Sequence, residues 1–200
     1  MRKILLLFAA CAAGLAAPVH AQMQMQGGYF GVGALTATTD NAREFALTFG
    51  GTGADKRADG LKIYGGYLWR QIGVEAAYYD LGTYDVRMGT AKSDDFSVSA
   101  FTVSGVLAVP LGPSFYLNGR LGIAFTSADY RCFQLCGGNF VDTSESGVAG
   151  LIGGGIGWRI TPSLSLRADY ESIGRVSHAV GLLEAEFDYQ VLAVSLQAHF

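Results

Sequence analysis

Few residues in this 200-residue chain have the type and spacing for chemistry. Ser177-His178 places a hydroxyl beside an imidazole. A hydrolase or acyl transferase needs such a nucleophile with a base in hydrogen-bond reach and a third group to orient that base. Neighbours on a strand point to opposite faces, so these two form a dyad only where the chain is irregular. Cys132 and Cys136, in Arg131-Cys132-Phe133-Gln134-Leu135-Cys136-Gly137-Gly138, read in an exported chain as a local disulfide stapling a loop. A metal site would want two further ligands, and none lies nearby in sequence. Redox catalysis would want the Cys-x-x-Cys spacing. The third group is Glu75, Arg120, Arg167, Asp169 and Glu171, single charges set among apolar or small neighbours. No catalytic set, cofactor site or metal site is expected from these residues.

The elements that must position them follow from composition. Half the residues are apolar and only 16% are charged, against roughly 25% in ordinary soluble proteins, and the mean hydropathy is +0.27. This leans towards a membrane, yet past residue 21 no apolar run approaches the roughly 20 residues of a spanning helix. With 28 Gly, 4 Pro, 10 Tyr and 12 Phe, long helices, collagen and disorder are disfavoured, leaving closed β-structure. A formal charge of -3 without a basic run gives no footing for nucleic acid.

Arg2 and Lys3, an apolar run from Ile4 to Leu15, Pro18 and then Val19-His20-Ala21 predict a secretory signal peptide over 1–21, cleaved after Ala21. The mature chain, 22–200, then carries a formal charge of -5, since two basic side chains leave with the signal. A lipoprotein cleavage before Cys11 is the alternative, with a short apolar core against it.

Eight segments alternate apolar with small or polar residues, the period of a strand with two different faces. They run over 28–37, 60–69, 72–80, 96–109, 115–128, 147–159, 163–173 and 187–200. The connections alternate long and short, and the short ones hold turn residues: Arg70-Gln71, Pro110 to Ser114, and Thr161-Pro162-Ser163. In an up-and-down meander the long connections, 38–59, 81–95, 129–146 and 174–186, share one end. That asymmetry is the pattern of an outer-membrane barrel. The expected fold is therefore all-β, an eight-stranded antiparallel up-and-down transmembrane β-barrel.

Residue types decide which face meets lipid, since a soluble lipocalin-like carrier would also alternate. Phe115, Leu117, Leu121, Ile123 and Phe125 oppose Tyr116, Asn118, Arg120, Gly122, Ala124 and Thr126, while Leu164, Leu166, Ala168 and Tyr170 oppose Ser165, Arg167, Asp169 and Glu171. The second face of each pair, mostly small residues with isolated ions, suits a narrow lumen filled by side chains. Glu75, Arg120, Arg167, Asp169 and Glu171 should then form an interior salt-bridge network, either a plug that fixes register or an ion-sized gate. Tyr29, Tyr67, Trp69, Tyr78, Trp158 and Tyr170 are expected as lipid-facing interfacial anchors, and His199 as a residue of the lumen mouth.

The last segment, Tyr189-Gln190-Val191-Leu192-Ala193-Val194-Ser195-Leu196-Gln197-Ala198-His199-Phe200, ends on phenylalanine, which resembles the signal that outer-membrane barrel assembly machinery reads. With Gly73-Val74-Glu75-Ala76-Ala77-Tyr78-Tyr79-Asp80-Leu81-Gly82 and the stretch from Arg159 to Glu171, the chain resembles the OmpA-like transmembrane barrel family over essentially all of 22–200. The resemblance implies a Gram-negative outer membrane and contact with its lipid and lipopolysaccharide. It also implies a monomer, and assembly through periplasmic chaperones and the barrel-insertion machine with Phe200 as the signal. Many family members continue into a peptidoglycan-binding domain, whereas this sequence stops at Phe200, so no cell-wall tether is expected from it.

The function expected is that of a non-enzymatic barrel with four surface loops, serving envelope integrity or surface interaction and adhesion. Asn41 to Phe49, with exposed aromatics or a short helix over the mouth, belongs to the first loop. A small porin-like channel is the alternative, opposed by a lumen that carries Tyr64, Tyr79, Tyr116 and Arg120. A lipid-modifying enzyme is the weaker one: the lipid A deacylases resembled by the last loop place His and Ser two apart, and position 180 is Val180.

Overall fold

In lipid no water is available to hydrogen-bond a free N–H or C=O, so spanning strands must pair on both edges and the sheet must close. A computed structural model of the chain shows that closure and describes residues 26–39, 53–54, 57–88, 91–132, 141–180 and 183–200. The strands are β1 (Gly27–Thr39), β2 (Gly53–Ala54), β3 (Arg57–Trp69), β4 (Ile72–Met88), β5 (Ala91–Pro110), β6 (Phe115–Cys132), β7 (Val141–Thr161), β8 (Leu164–Val180) and β9 (Leu183–His199). Each pairs antiparallel with its neighbour, and β1 pairs with both β3 and β9. The two residues of β2 lie against Val86 and Arg87 of β4, beyond the start of β3, so the barrel has eight staves.

The seam closes at the termini of the described chain. Gly28 N–H donates to Phe200 O and Phe200 N–H to Gly28 O, both at 3.0 Å. At this end the turns are tight: Trp69 pairs with Ile72 across Arg70-Gln71, and Arg70 takes the left-handed φ of 66° that such a turn demands.

At the other end the expected long loops are largely strand. Residues 81–88 and 91–95, 129–132 and 141–146, and 174–180 and 183–186 continue the ladders. Beyond the hydrocarbon both faces of a strand are wet, so polarity stops alternating while backbone pairing continues. The parity signal therefore ended before the strands did. The stretch 41–49 and the signal segment lie outside the described residues.

Facing is as the alternation demands. Phe30, Ile63, Val74, Phe101, Leu121, Ile152, Ile156 and Leu196 are exposed to the lipid side. Tyr67 and Trp69 pack with ring centroids 5.2 Å apart, and Phe115 stacks on Trp158 at 6.3 Å; both pairs ring the tight-turn end. Tyr78 and Tyr170 also face out. Tyr29 is a correction: it is 3% exposed and points inward. Tyr29 occupies the inward parity of β1, between Gly27 and Gly31, and its hydroxyl has a carboxylate to bond inside.

The lumen is filled. Tyr64 and Tyr116 cross it over Gly31 and Gly157, where a Cβ would run into their rings. Its long-hairpin half is apolar rather than small and polar: Leu35, Leu81, Val98, Leu151, Ile173 and Val191 are all buried there. Ile173 is the next inward position beyond Glu171, and Leu151 pairs with it. Gly157→Val is expected to lower stability by about 1–3 kcal/mol through overpacking, whereas Gly150→Ala, where an added Cβ meets nothing, should change it little. Urea unfolding of the micelle-bound barrel, followed by tryptophan fluorescence, measures both.

Candidate functional site

The principal polar constellation lies inside the barrel below that apolar half. Each member stands on an inward-facing strand position whose neighbours on either side face lipid, so alternation alone delivers it to the lumen. Glu75 comes from β4, Arg120 from β6, and Arg167, Asp169 and Glu171 from β8. The structure brings all five together and adds Lys62 of β3. Lys62 sits between Leu61 and Ile63, the same apolar-flanked charge pattern that marks Glu75, and that pattern could have found it.

The geometry is dense. Arg167 grips Glu75 with two nitrogens, Nη1 to Oε2 at 2.9 Å and Nη2 to Oε1 at 3.2 Å, and its Nε donates to Asp169 Oδ2 at 2.8 Å. Arg120 reaches Glu75 at 3.2 Å and Asp169 at 3.0 Å, and also pairs with Glu171. Lys62 Nζ lies 2.8 Å from Glu171 Oε1 and 3.7 Å from Asp169 Oδ2. Lys62, Arg120 and Arg167 thus face Glu75, Asp169 and Glu171, cation for anion.

Neutral donors and acceptors surround the cluster, and among the described residues Arg120 Nε, Asn118 Nδ2 and Glu171 Oε2 are buried without a hydrogen-bond partner. Tyr29 donates to Glu75 Oε2 at 3.0 Å. Tyr64 bonds Ser195 Oγ at 3.0 Å and donates to Gln197 Oε1 at 3.1 Å, and Gln197 Oε1 also accepts from Arg167. Asn118 Oδ1 accepts from Arg120 at 2.8 Å. The Arg167 guanidinium lies 3.9 Å from the Tyr64 ring centroid, and Lys62 Nζ 5.0 Å from that of Tyr79, placements that favour a cation over a ring face.

Chemically this arrangement holds rather than reacts. Each carboxylate of the cluster is engaged by at least two cations, which leaves none of the three free as a base. Among the described residues no group of three or more His, Cys, Asp or Glu is arranged to hold a metal ion.

The remaining candidates lie apart from this cluster. Ser177 and His178 stand on β8, paired in unbroken register with Glu186 and Ala185, so the irregularity that a dyad needs is not present in the backbone there. Cys132 ends β6, and Cys136 lies outside the described residues. Phe200 follows β9 at the tight-turn end, its side chain 84% exposed. His199 is at the same mouth, its Nε2 2.8 Å from Ser165 Oγ.

Comparison with known proteins agrees with this architecture. A family model described as the OmpA-like transmembrane domain matches residues 23–200. The outer membrane protein A of Shigella dysenteriae is 24% identical over 125 residues, 61% of this chain and 35% of that protein, and the one from Escherichia fergusonii is 24% identical over 121. The chain spans about a third of the length of these curated relatives. Among solved structures, Neisserial surface protein A superposes with a TM-score of 0.60 at 17% identity, covering 87% of this chain and 97% of that one. Ail, the attachment invasion locus protein of Yersinia pestis, gives 0.55 at 15%, covering 88% and 100%.

The balance of the cluster is testable. Lys62→Met leaves one buried anionic charge in excess and is expected to cost about 3–5 kcal/mol. Combining it with Glu171→Gln restores neutrality, so the double variant should be more stable than Lys62→Met alone. A double-mutant cycle by urea unfolding reads this out; strict additivity of two destabilising changes would refute the paired arrangement.

Proposed function

The chain belongs to the OmpA-like transmembrane domain family, and from that premise we propose that it is a non-enzymatic barrel of the Gram-negative outer membrane that works at the cell surface through its long hairpins. The observation that carries this reading is strand length. A tilted strand needs about 9–11 residues to cross a bilayer, but β5 has 20 and β7 has 21. The surplus lies at the long-hairpin end, where β4 to β7 continue as a paired sheet past the bilayer. Material spent on a rigid protrusion suits contact with something outside the cell. The likeness in fold to a barrel named for attachment and invasion accords with it.

Further parts of the reading rest on the sequence and on the family. The signal over 1–21 is removed on export, the barrel is inserted as a monomer with Phe200 read by the assembly machinery, and periplasmic chaperones escort it. Outer-membrane lipid and lipopolysaccharide surround it. No cofactor is required, and the Cys132–Cys136 pair staples the hairpin between β6 and β7.

A porin-like channel is the second reading, and the lumen opposes it. An ion would have to cross a layer of paired charges and then an apolar layer of Leu35, Leu81, Val98, Leu151, Ile173 and Val191, whose side chains cannot replace its hydration.

Trimming separates these readings. Asp85 pairs with Asp95 and Tyr130 with Thr143, so joining each pair by a two-residue turn removes the tips and keeps register. Expression of the native chain in a non-adherent bacterium is expected to confer adherence to a surface coated with extracellular-matrix proteins, and the trimmed chain to lose it while keeping its boiling-dependent gel shift. Equal adherence of the two, or steady single-channel conductance of the native barrel in planar bilayers, would refute the proposal.

A further inference from the structure

A row of paired residues followed once round the barrel does not close on itself, because the strands are staggered. The row that leaves β1 at Gly28 passes through Leu121 of β6 and Gln190 of β9 and returns to β1 at Thr38, ten residues nearer the long hairpins. Eight steps from strand to strand therefore climb ten residues, and three steps climb about four. Heights on different sides of the wall can be compared on that scale. Three steps separate Leu121 from Gln190, and Phe125 stands four residues above Leu121 on β6, so Phe125 and Gln190 are level. At the tight-turn end three steps lead from Trp69 through Ile72 and Leu107 to Gly119. Phe115 lies four residues below Gly119, so Trp69 and Phe115 are level too.

The lower pair agrees in chemistry, since both side chains are exposed aromatics suited to the interface. The upper pair does not. Gln190 is exposed and accepts from the Tyr170 hydroxyl at 2.8 Å, a polar contact that marks headgroup depth on β8 and β9. Phe125, at the same height, is an exposed apolar ring. Val148 pairs with it on β7, one step higher, and is 62% exposed. Both continue the lipid-facing wall of Ile123 and Ile152 below them, and the next outward pair above them is Ser127 with Ser146. In an upright barrel either Phe125 and Val148 stand in water or Gln190 is drawn into hydrocarbon.

We propose that the barrel leans in the bilayer with its β6–β7 side sunk, so that hydrocarbon of the outer leaflet covers Phe125 and Val148 and lipid headgroups meet the hydroxyls of Ser127 and Ser146. A lean satisfies both sides at once, burying the apolar pair while Gln190 keeps its place among headgroups. This orientation presupposes the outer-membrane barrel proposed above and adds which surface the lipid takes. The sheet of β4 to β7 then slopes over the membrane instead of standing clear of it, with its outward face to the headgroups and its inner face to the exterior.

The test places a bimane label at each of the four positions. The mature chain with Cys132→Ser and Cys136→Ser receives Phe125→Cys, Gln190→Cys, Phe115→Cys or Trp69→Cys singly, and is reconstituted in phosphatidylcholine nanodiscs. All four side chains are exposed, and the boiling-dependent gel shift checks that each variant folds. The quantity read is quenching by a nitroxide on the lipid chain relative to quenching by aqueous iodide. It is expected to be at least twofold higher at position 125 than at 190 and, because a lean moves the two ends in opposite senses, at least twofold higher at 69 than at 115. Equal ratios within each pair would overturn the lean. So would a difference between 125 and 190 with none between 69 and 115, which means that the leaflet thickens around an upright barrel. Lipid quenching at none of the four positions would refute the membrane barrel itself.

Discussion

The grip of Arg167 and Arg120 on Glu75 and Asp169 is what the rest of the interior depends on. An eight-stave barrel encloses a lumen that side chains must fill, and four charges from three strands can be buried there only if each finds its opposite. The pairs span β4, β6 and β8, which are not sheet neighbours. They therefore tie the wall across its diameter, where backbone ladders tie only adjacent strands. A slip of one residue in any of these strands would turn its charge out to lipid, so the network also fixes register. Lys62 and Glu171 extend the same logic to β3.

Much of this is legible in the sequence because a period of two is a strong signal wherever one face meets hydrocarbon. The alternation around Leu164 to Glu171 by itself places Arg167, Asp169 and Glu171 on one face. Tyr29 is not legible in the same way. An aromatic ring near a strand end suits either an interfacial girdle or a filled lumen, and only its partner, Glu75 from a strand 46 residues away, decides between them. Lys62 carries the signal, but on the inward face of a segment whose other inward residues, Tyr64 and Leu68, are uncharged and give no hint of an ionic layer.

The hairpins show the opposite limit, where structure persists and the pattern does not. Residues 81–95 read as a loop because Thr83, Asp85, Arg87 and Lys92 interrupt the apolar pattern. In water nothing selects for that pattern, and the ladder from Thr83↔Ser97 to Met88↔Ala91 persists on backbone pairing, with the Thr83 and Ser97 hydroxyls joined at 3.0 Å, and with shifts in register at Asp80/Thr83 and Val86/Arg87. The first shift brackets Leu81, which stays buried in the lumen, and Gly82, whose φ of 84° accommodates the irregularity; the second lies further out along the hairpin, where pairing is freed from the need to point one face at lipid.

The two ends of the lumen are consequently unlike. Towards the long hairpins the interior is capped by aliphatic side chains, Leu35, Leu81, Val98, Leu151, Ile173 and Val191. Towards the tight turns it is polar, with Ser165, Gln197 and His199 joined by hydrogen bonds. Stability alone does not require that difference, since either end could be filled either way. The aliphatic layer separates the long-hairpin end from the charged layer below it. The two ends of the barrel are thus lined by different chemistry, with the ion pairs between them holding the wall in one register for both.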